Sequence, residues 1–141
     1  MALEEESLSL LVARVAKALS RAFDDALAAA GGSRPTWVVL RALTATPRTQ
    51  AELAAAVGVR QPTMSHHLDG LERAGLVARE RPAGNRRAQQ VTLTDAGERL
   101  LVRLRRTAAA FDGRLGAGLA TAEVAELRRL LAAVEENAGP D

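Results

Sequence analysis

The sequence predicts a mostly α-helical chain that carries one small β-hairpin, an α+β fold. Three observations predict it. Long stretches towards both ends repeat leucine and valine at steps of three and four residues, the period of one helical face. Between them, Gln50 to Leu71 reads QAELAAAVGVRQPTMSHHLDGL, two short helices around a glycine turn. Directly after it, two segments alternate apolar and polar residues on either side of Pro82-Ala83-Gly84-Asn85, which is turn chemistry.

The 141 residues are 48% hydrophobic and 26% charged, the balance of a globular chain, and they are expected to form one domain over residues 1–141. No run approaches the ~18 apolar residues that a membrane span needs. The acidic start, Glu4-Glu5-Glu6, is unlike a signal peptide, so no membrane partner and a cytoplasmic location are expected. The absence of cysteine excludes disulfides, a thiol redox switch and thiolate metal sites. The overall charge of +2 hides an asymmetry. Residues 34–106 hold 13 arginines against six acids, net +7, and the remainder is net −5. Positive charge therefore gathers on the middle of the chain, the footprint of a nucleic-acid binder or, alternatively, a solvated basic face.

Taken in order, Leu3 to Ala30 reads as a long helix, with Leu8, Leu11, Val15, Leu19, Phe23 and Leu27 on one face and Gly31-Gly32-Ser33 ending it. An apolar face on a terminal helix must be buried, and a partner subunit is a natural cover. Pro35 opens a second helix to about Ala45, with Trp37, Leu40 and Leu43 inward, and Thr46-Pro47-Arg48 breaks it. Thr49 then caps a short helix, with Glu52 three residues on as in a capping box. Leu53, Ala54 and Val57 form its apolar face, and Gly58 supplies the left-handed residue that ends it. The next helix carries Met64, Leu68 and Leu71 at i, i+4, i+7 and ends at Arg73-Ala74-Gly75. This is the spacing of a helix-turn-helix, in which the second helix exposes its N-terminal end to DNA.

Leu76 to Arg81 and Ala88 to Leu93 form the hairpin, with Arg86 and Arg87 near its tip. A basic hairpin after such a helix makes the winged form: the helix enters the major groove and the wing follows the backbone or the minor groove. Thr94 caps a helix from Asp95 to Phe111, with Leu100, Leu101, Leu104 and Ala108 inward; Gly113, Gly116 and Gly118 interrupt the pattern. A last helix runs from about Ala122 to Asn137, and Gly139-Pro140 closes the chain.

The run TQAELAAAVGVRQPTMSHHLDGLERAGLVARERPAGNRRAQQVTLTDAG resembles the winged-helix core of the MarR family of bacterial transcriptional regulators. The carriers are Glu52-Leu53-Ala54 with Val57-Gly58-Val59, the Asp69-x-Leu71-Glu72-x-x-Gly75-Leu76-Val77 run, Arg86-Arg87, and Leu93-Thr94-x-Ala96-Gly97. The resemblance implies a winged helix-turn-helix over residues 34–94, flanked by helical dimerisation regions at 1–30 and 95–141. It implies a homodimer on a pseudo-palindromic double-stranded DNA operator, and repression relieved by a small, anionic, often aromatic effector. Three positions depart from the family pattern. Arg60 stands where a capping Ser is common, Gly70 where a basic residue is common, and Asn85 where an Asp often steadies the wing.

Candidate DNA contacts are Arg60, Gln61, Pro62, Thr63, Ser65 and His66 on and before the second helix, and Arg79, Arg86 and Arg87 in the wing. Glutamine can pair with adenine, hydroxyls suit phosphates, and arginine suits either phosphate or guanine. Arg79, with Arg81, is either a phosphate contact or part of a solvated strand face. His66 points outward. His67 borders the buried side, either as a core-edge histidine or as a proton- or ligand-sensing group. The two cannot share one metal ion, because neighbours on a helix diverge by ~100°. Arg14, Trp37, Arg41 and His67 are candidates for the effector pocket, with Trp37 read alternatively as plain core. No cofactor, metal or catalytic residue is expected: there is no glycine-rich phosphate loop and no nucleophile–base pattern. The alternative to a DNA-binding regulator is a winged-helix protein-interaction module without specific DNA binding.

Overall fold

Hydroxyl side chains set four of the helix starts. In the computed structural model, which describes residues 6–80 and 89–139, Ser7 opens α1 (Leu8–Ala29) by accepting from the Leu10 N–H at 3.4 Å. Ser33 opens α2 (Arg34–Ala42) by accepting from Thr36 N–H at 3.3 Å, with Pro35 in the first turn where its missing N–H costs nothing. Thr49 opens α3 (Gln50–Val57) by accepting from Glu52 N–H at 3.1 Å. α4 (Gln61–Arg73) follows, then strands β2 (Val77–Glu80) and β3 (Gln90–Leu93), with the two-residue strand β1 (Arg48–Thr49) lying before α3. Thr94 caps α5 (Asp95–Leu115) by accepting from Gly97 N–H at 3.1 Å, and α6 (Thr121–Ala138) ends the described chain.

The hairpin is antiparallel as expected, but the sheet has three strands in the order β1-β3-β2. β1 escaped the sequence reading because two residues after a proline have no periodicity to detect. Two helix ends also differ. α2 stops at Ala42, where the Thr44 hydroxyl donates to the Arg41 carbonyl at 2.8 Å and takes up one of the carbonyls the helix leaves free. α5 runs through Gly113 to Leu115, because a glycine inside a helix costs only ~1 kcal/mol and does not stop it. The expected start of α1 at Leu3 lies outside the described residues.

Packing divides the chain into two units, one up to Ala108 and one from Ala109. In the first, a single core joins Leu27 of α1, Leu40 of α2, Leu53 of α3, Met64 and Leu68 of α4, Val91 of β3 and Leu104 of α5, all at 0% exposure. Each such side chain contributes about 1.5–3 kcal/mol by leaving water. The Thr94 N–H donates to Leu76 O at 3.1 Å and the Thr94 hydroxyl to Gly75 O, which ties the base of the hairpin to the first turn of α5. In the second unit, Phe111 is buried, whereas Leu127, Leu130 and Leu131 on α6 are exposed. Leu8, Leu10, Val15 and Leu19 of α1 are exposed likewise.

Candidate nucleic-acid interface

α3 and α4 meet through a tight turn. Gly58 adopts φ +78°, a left-handed conformation that a side chain would strain, and its N–H and that of Val59 both donate to Ala54 O, at 2.9 and 3.0 Å. Buried Met64, Leu68 and Leu71 hold the inner face of α4 on the core. The helix thereby turns Gln61, Pro62, Thr63, His66 and Asp69 to solvent, with Ser65 half-buried.

Arg60 occupies the N-cap position and makes no side-chain cap bond. The first hydrogen bond of the helix runs from Met64 N–H to Arg60 O at 3.0 Å. The N–H groups of Gln61 and Thr63 therefore face outward at the positive end of the helix dipole, next to a free guanidinium. Exposed N–H groups and a guanidinium at the positive end of a helix dipole are chemically suited to an anion. Gln61, Thr63 and His66 stand exposed on the first two turns of the same helix.

The wing is described only along its strands. Arg86 and Arg87, with Arg81 and Asn85, lie outside the described residues. Arg79 on β2 is placed differently from either expectation for it. Its side chain is only 13% exposed and turns onto α4, where Nη2 reaches Asp69 Oδ1 at 2.8 Å. The nearby carboxylate draws it away from solvent.

The four expected effector residues are not brought together. Arg14 forms a two-pronged pair with Glu6, at 2.8 and 3.1 Å, and this hydrogen bonding holds the Glu6 carboxyl below its ordinary pKa. Trp37 belongs to the core, and the Arg41 guanidinium lies 5.3 Å from its ring centroid. His67 does line a cavity of about 440 Å³, between the first turn of α2 and the second half of α4. Ser33, Thr36, His66, Gly70 and Arg73 share its wall. Ser33, Thr36 and Arg73 were missed because their elements lie some 40 residues apart in sequence, and only the packing of α2 against α4 unites them. Among the described residues, no group of three His, Asp or Glu side chains can hold a metal ion, and no helix is long and apolar enough to cross a membrane.

An exposed second helix, uncapped at its N-terminal turn and braced on a small three-stranded antiparallel sheet, defines a winged helix-turn-helix protein. The family model described as the MarR family matches residues 31–88. The chain is similar over most of its length to the transcriptional repressor CouR bound to a 23-mer DNA duplex, at 29% identity, with 92% of each chain covered and a TM-score of 0.79. It is 33% identical to the transcriptional regulator PA3341, covering 93% of this chain and 97% of that one, with a TM-score of 0.70. A Mycobacterium tuberculosis MarR family protein in complex with salicylic acid is 32% identical, with 94% and 98% covered and a TM-score of 0.68. The chain belongs to the MarR family of transcription regulators. Proteins of this family are dimers and non-enzymatic.

Proposed function

We propose that this chain is a cytoplasmic, dimeric repressor that binds a pseudo-palindromic double-stranded DNA operator sequence-specifically and is released by a small ligand. The observation that carries the reading is the N-terminal turn of α4, with Arg60 free, no cap bond, and Gln61, Thr63 and His66 exposed. Arg60 and the wing pair Arg86-Arg87 supply phosphate affinity, while Gln61, Thr63, Ser65 and His66 read bases. The exposed leucines of α1, and separately those of α6, are apolar faces suited to a partner subunit. The 440 Å³ cavity is large enough for a small effector, and Arg73, the two imidazoles and the N-terminal end of α2 suit an anionic one. A ligand there presses on α4 and changes the separation of the two recognition helices. CouR bound to DNA and the salicylic acid complex give family precedent for both halves of this reading.

Fluorescence anisotropy with duplex from the protein's own upstream region, against scrambled duplex, tests it across a salt series. Tighter upstream binding, with log affinity falling linearly in log salt at a slope of several phosphate contacts, is expected. Equal binding of both duplexes refutes sequence specificity. Binding of neither hands the chain to the protein-interaction reading. Salicylate added to the bound complex, as an anionic probe, is expected to lower the anisotropy in wild type and not in Arg73→Ala.

A further inference from the structure

Arg79 belongs to β2, yet its side chain ends on α4. Nη2 donates to the Asp69 carboxylate at 2.8 Å and to the main-chain carbonyl of Ser65 at 3.3 Å. Nε lies 4.0 Å from a Glu72 carboxylate oxygen. Ser65, Asp69 and Glu72 follow one another at i, i+4, i+7, so one guanidinium from the wing strand spans two turns of the recognition helix. Across the ladder Arg79 faces Val91, which is fully buried on the central strand, so the arginine springs from fixed backbone. Its side chain is 13% exposed, while those of Asp69 and Glu72 are 56% and 48% exposed. The arginine is thus withdrawn from solvent and its partners are not, the reverse of a residue held ready for a phosphate.

We propose that Arg79 is a positioning residue: it braces the wing strand to the recognition helix, with Asp69 as its main partner, so that helix and wing meet DNA at one fixed angle. This rests on the DNA-binding reading above. It also accounts for a carboxylate on the exposed side of a helix that approaches phosphates, where Asp69 alone repels them. Both bonds leave from Nη2 of a side chain only 13% exposed, a site that the weakly hydrated guanidinium enters at less cost than lysine's compact, strongly hydrated ammonium.

The charges make the test sharp. Arg79→Met removes a positive charge and Asp69→Ala removes a negative one, so simple attraction to DNA demands opposite effects: weaker binding in the first, tighter in the second. A brace demands weaker operator binding in both, by roughly tenfold, the size of one charge-assisted hydrogen bond. It also demands that the double variant be no worse than either single, and that Arg79→Lys resemble Arg79→Met. The salt slope stays at its wild-type value, and the preference for operator over scrambled duplex narrows. Measurements are made well below the melting temperature of each variant, where loss of global stability leaves that preference unmoved.

The proposal is overturned if Asp69→Ala binds more tightly, if Arg79→Lys restores wild-type affinity, or if Arg79→Met reduces the salt slope by ~0.9, the signature of one lost phosphate contact. A wild type that does not distinguish operator from scrambled duplex overturns the regulator reading itself, and that failure is visible before any variant is compared.

Discussion

Gly97→Ala puts the account of the wing's attachment to measurement. Gly97 lies in the first turn of α5, and a β-carbon built there meets the Leu76 carbonyl oxygen at 2.1 Å and its carbon at 3.1 Å. The two must part by roughly 1 Å to reach van der Waals contact. Neither neighbour is a side chain that can swing aside: Leu76 O accepts the Thr94 N–H, and the adjacent Gly75 O accepts the Thr94 hydroxyl. Overpacking of this kind costs about 1–3 kcal/mol. Loss of one of the Thr94 bonds adds about 1 kcal/mol. Alanine's better helix propensity returns up to ~1 kcal/mol. The net is about 1–3 kcal/mol of destabilisation, which for a chain of this size lowers the melting temperature by roughly 3–12 °C. Gly70→Ala is the control. Gly70 is also helical, on α4, but nothing lies within 4 Å of a β-carbon there. That variant gains about 0.5–1 kcal/mol. Thermal unfolding followed by circular dichroism, at one protein concentration, reads both. A Gly97→Ala protein that melts at or above wild type refutes the close approach of hairpin and α5.

Three further outcomes follow from the same geometry. Arg60→Ser gives α4 the side-chain cap it lacks, so it raises stability by about 0.5–2 kcal/mol in denaturant titration. The same substitution weakens DNA binding and lowers the magnitude of the salt slope by ~0.9, as one phosphate contact is lost. Leu68→Ala, at a position with 0% exposure in the core, costs about 2.7–5 kcal/mol, and a loss under ~1 kcal/mol shows the α4 seat to be loosely packed.

The helix-turn-helix was readable because each of its parts carries a local physical signature. Thr49 caps, Gly58 takes a positive φ, and Met64, Leu68 and Leu71 share one face; all three appear in the structure as expected. Readability failed where the determinant is not local. β1 exists only because Arg48 and Thr49 find Val91 and Gln90 to pair with. The run of α5 through Gly113 reflects a glycine cost too small to end a helix whose other residues favour it. Arg79 looks like any strand arginine until α4 is folded and Asp69 stands beside it. The cavity at His67 is invisible in the same way, since Ser33 and Arg73 are unrelated in sequence and meet only through packing. Trp37 reads from sequence first as core and only secondarily as pocket, and it lies in the core cluster, with the Arg41 guanidinium 5.3 Å from its ring centroid.

Selection of bound duplexes from a random pool tests the central claim most directly, because it presupposes no operator. Enrichment of one pseudo-palindromic sequence is expected, with half-sites about one helical turn apart, as two recognition helices of a dimer require, and with Gln61→Ala relaxing the preference at a defined base pair in each half. A pool that remains random after repeated rounds, while the protein still retains DNA at low salt, contradicts it.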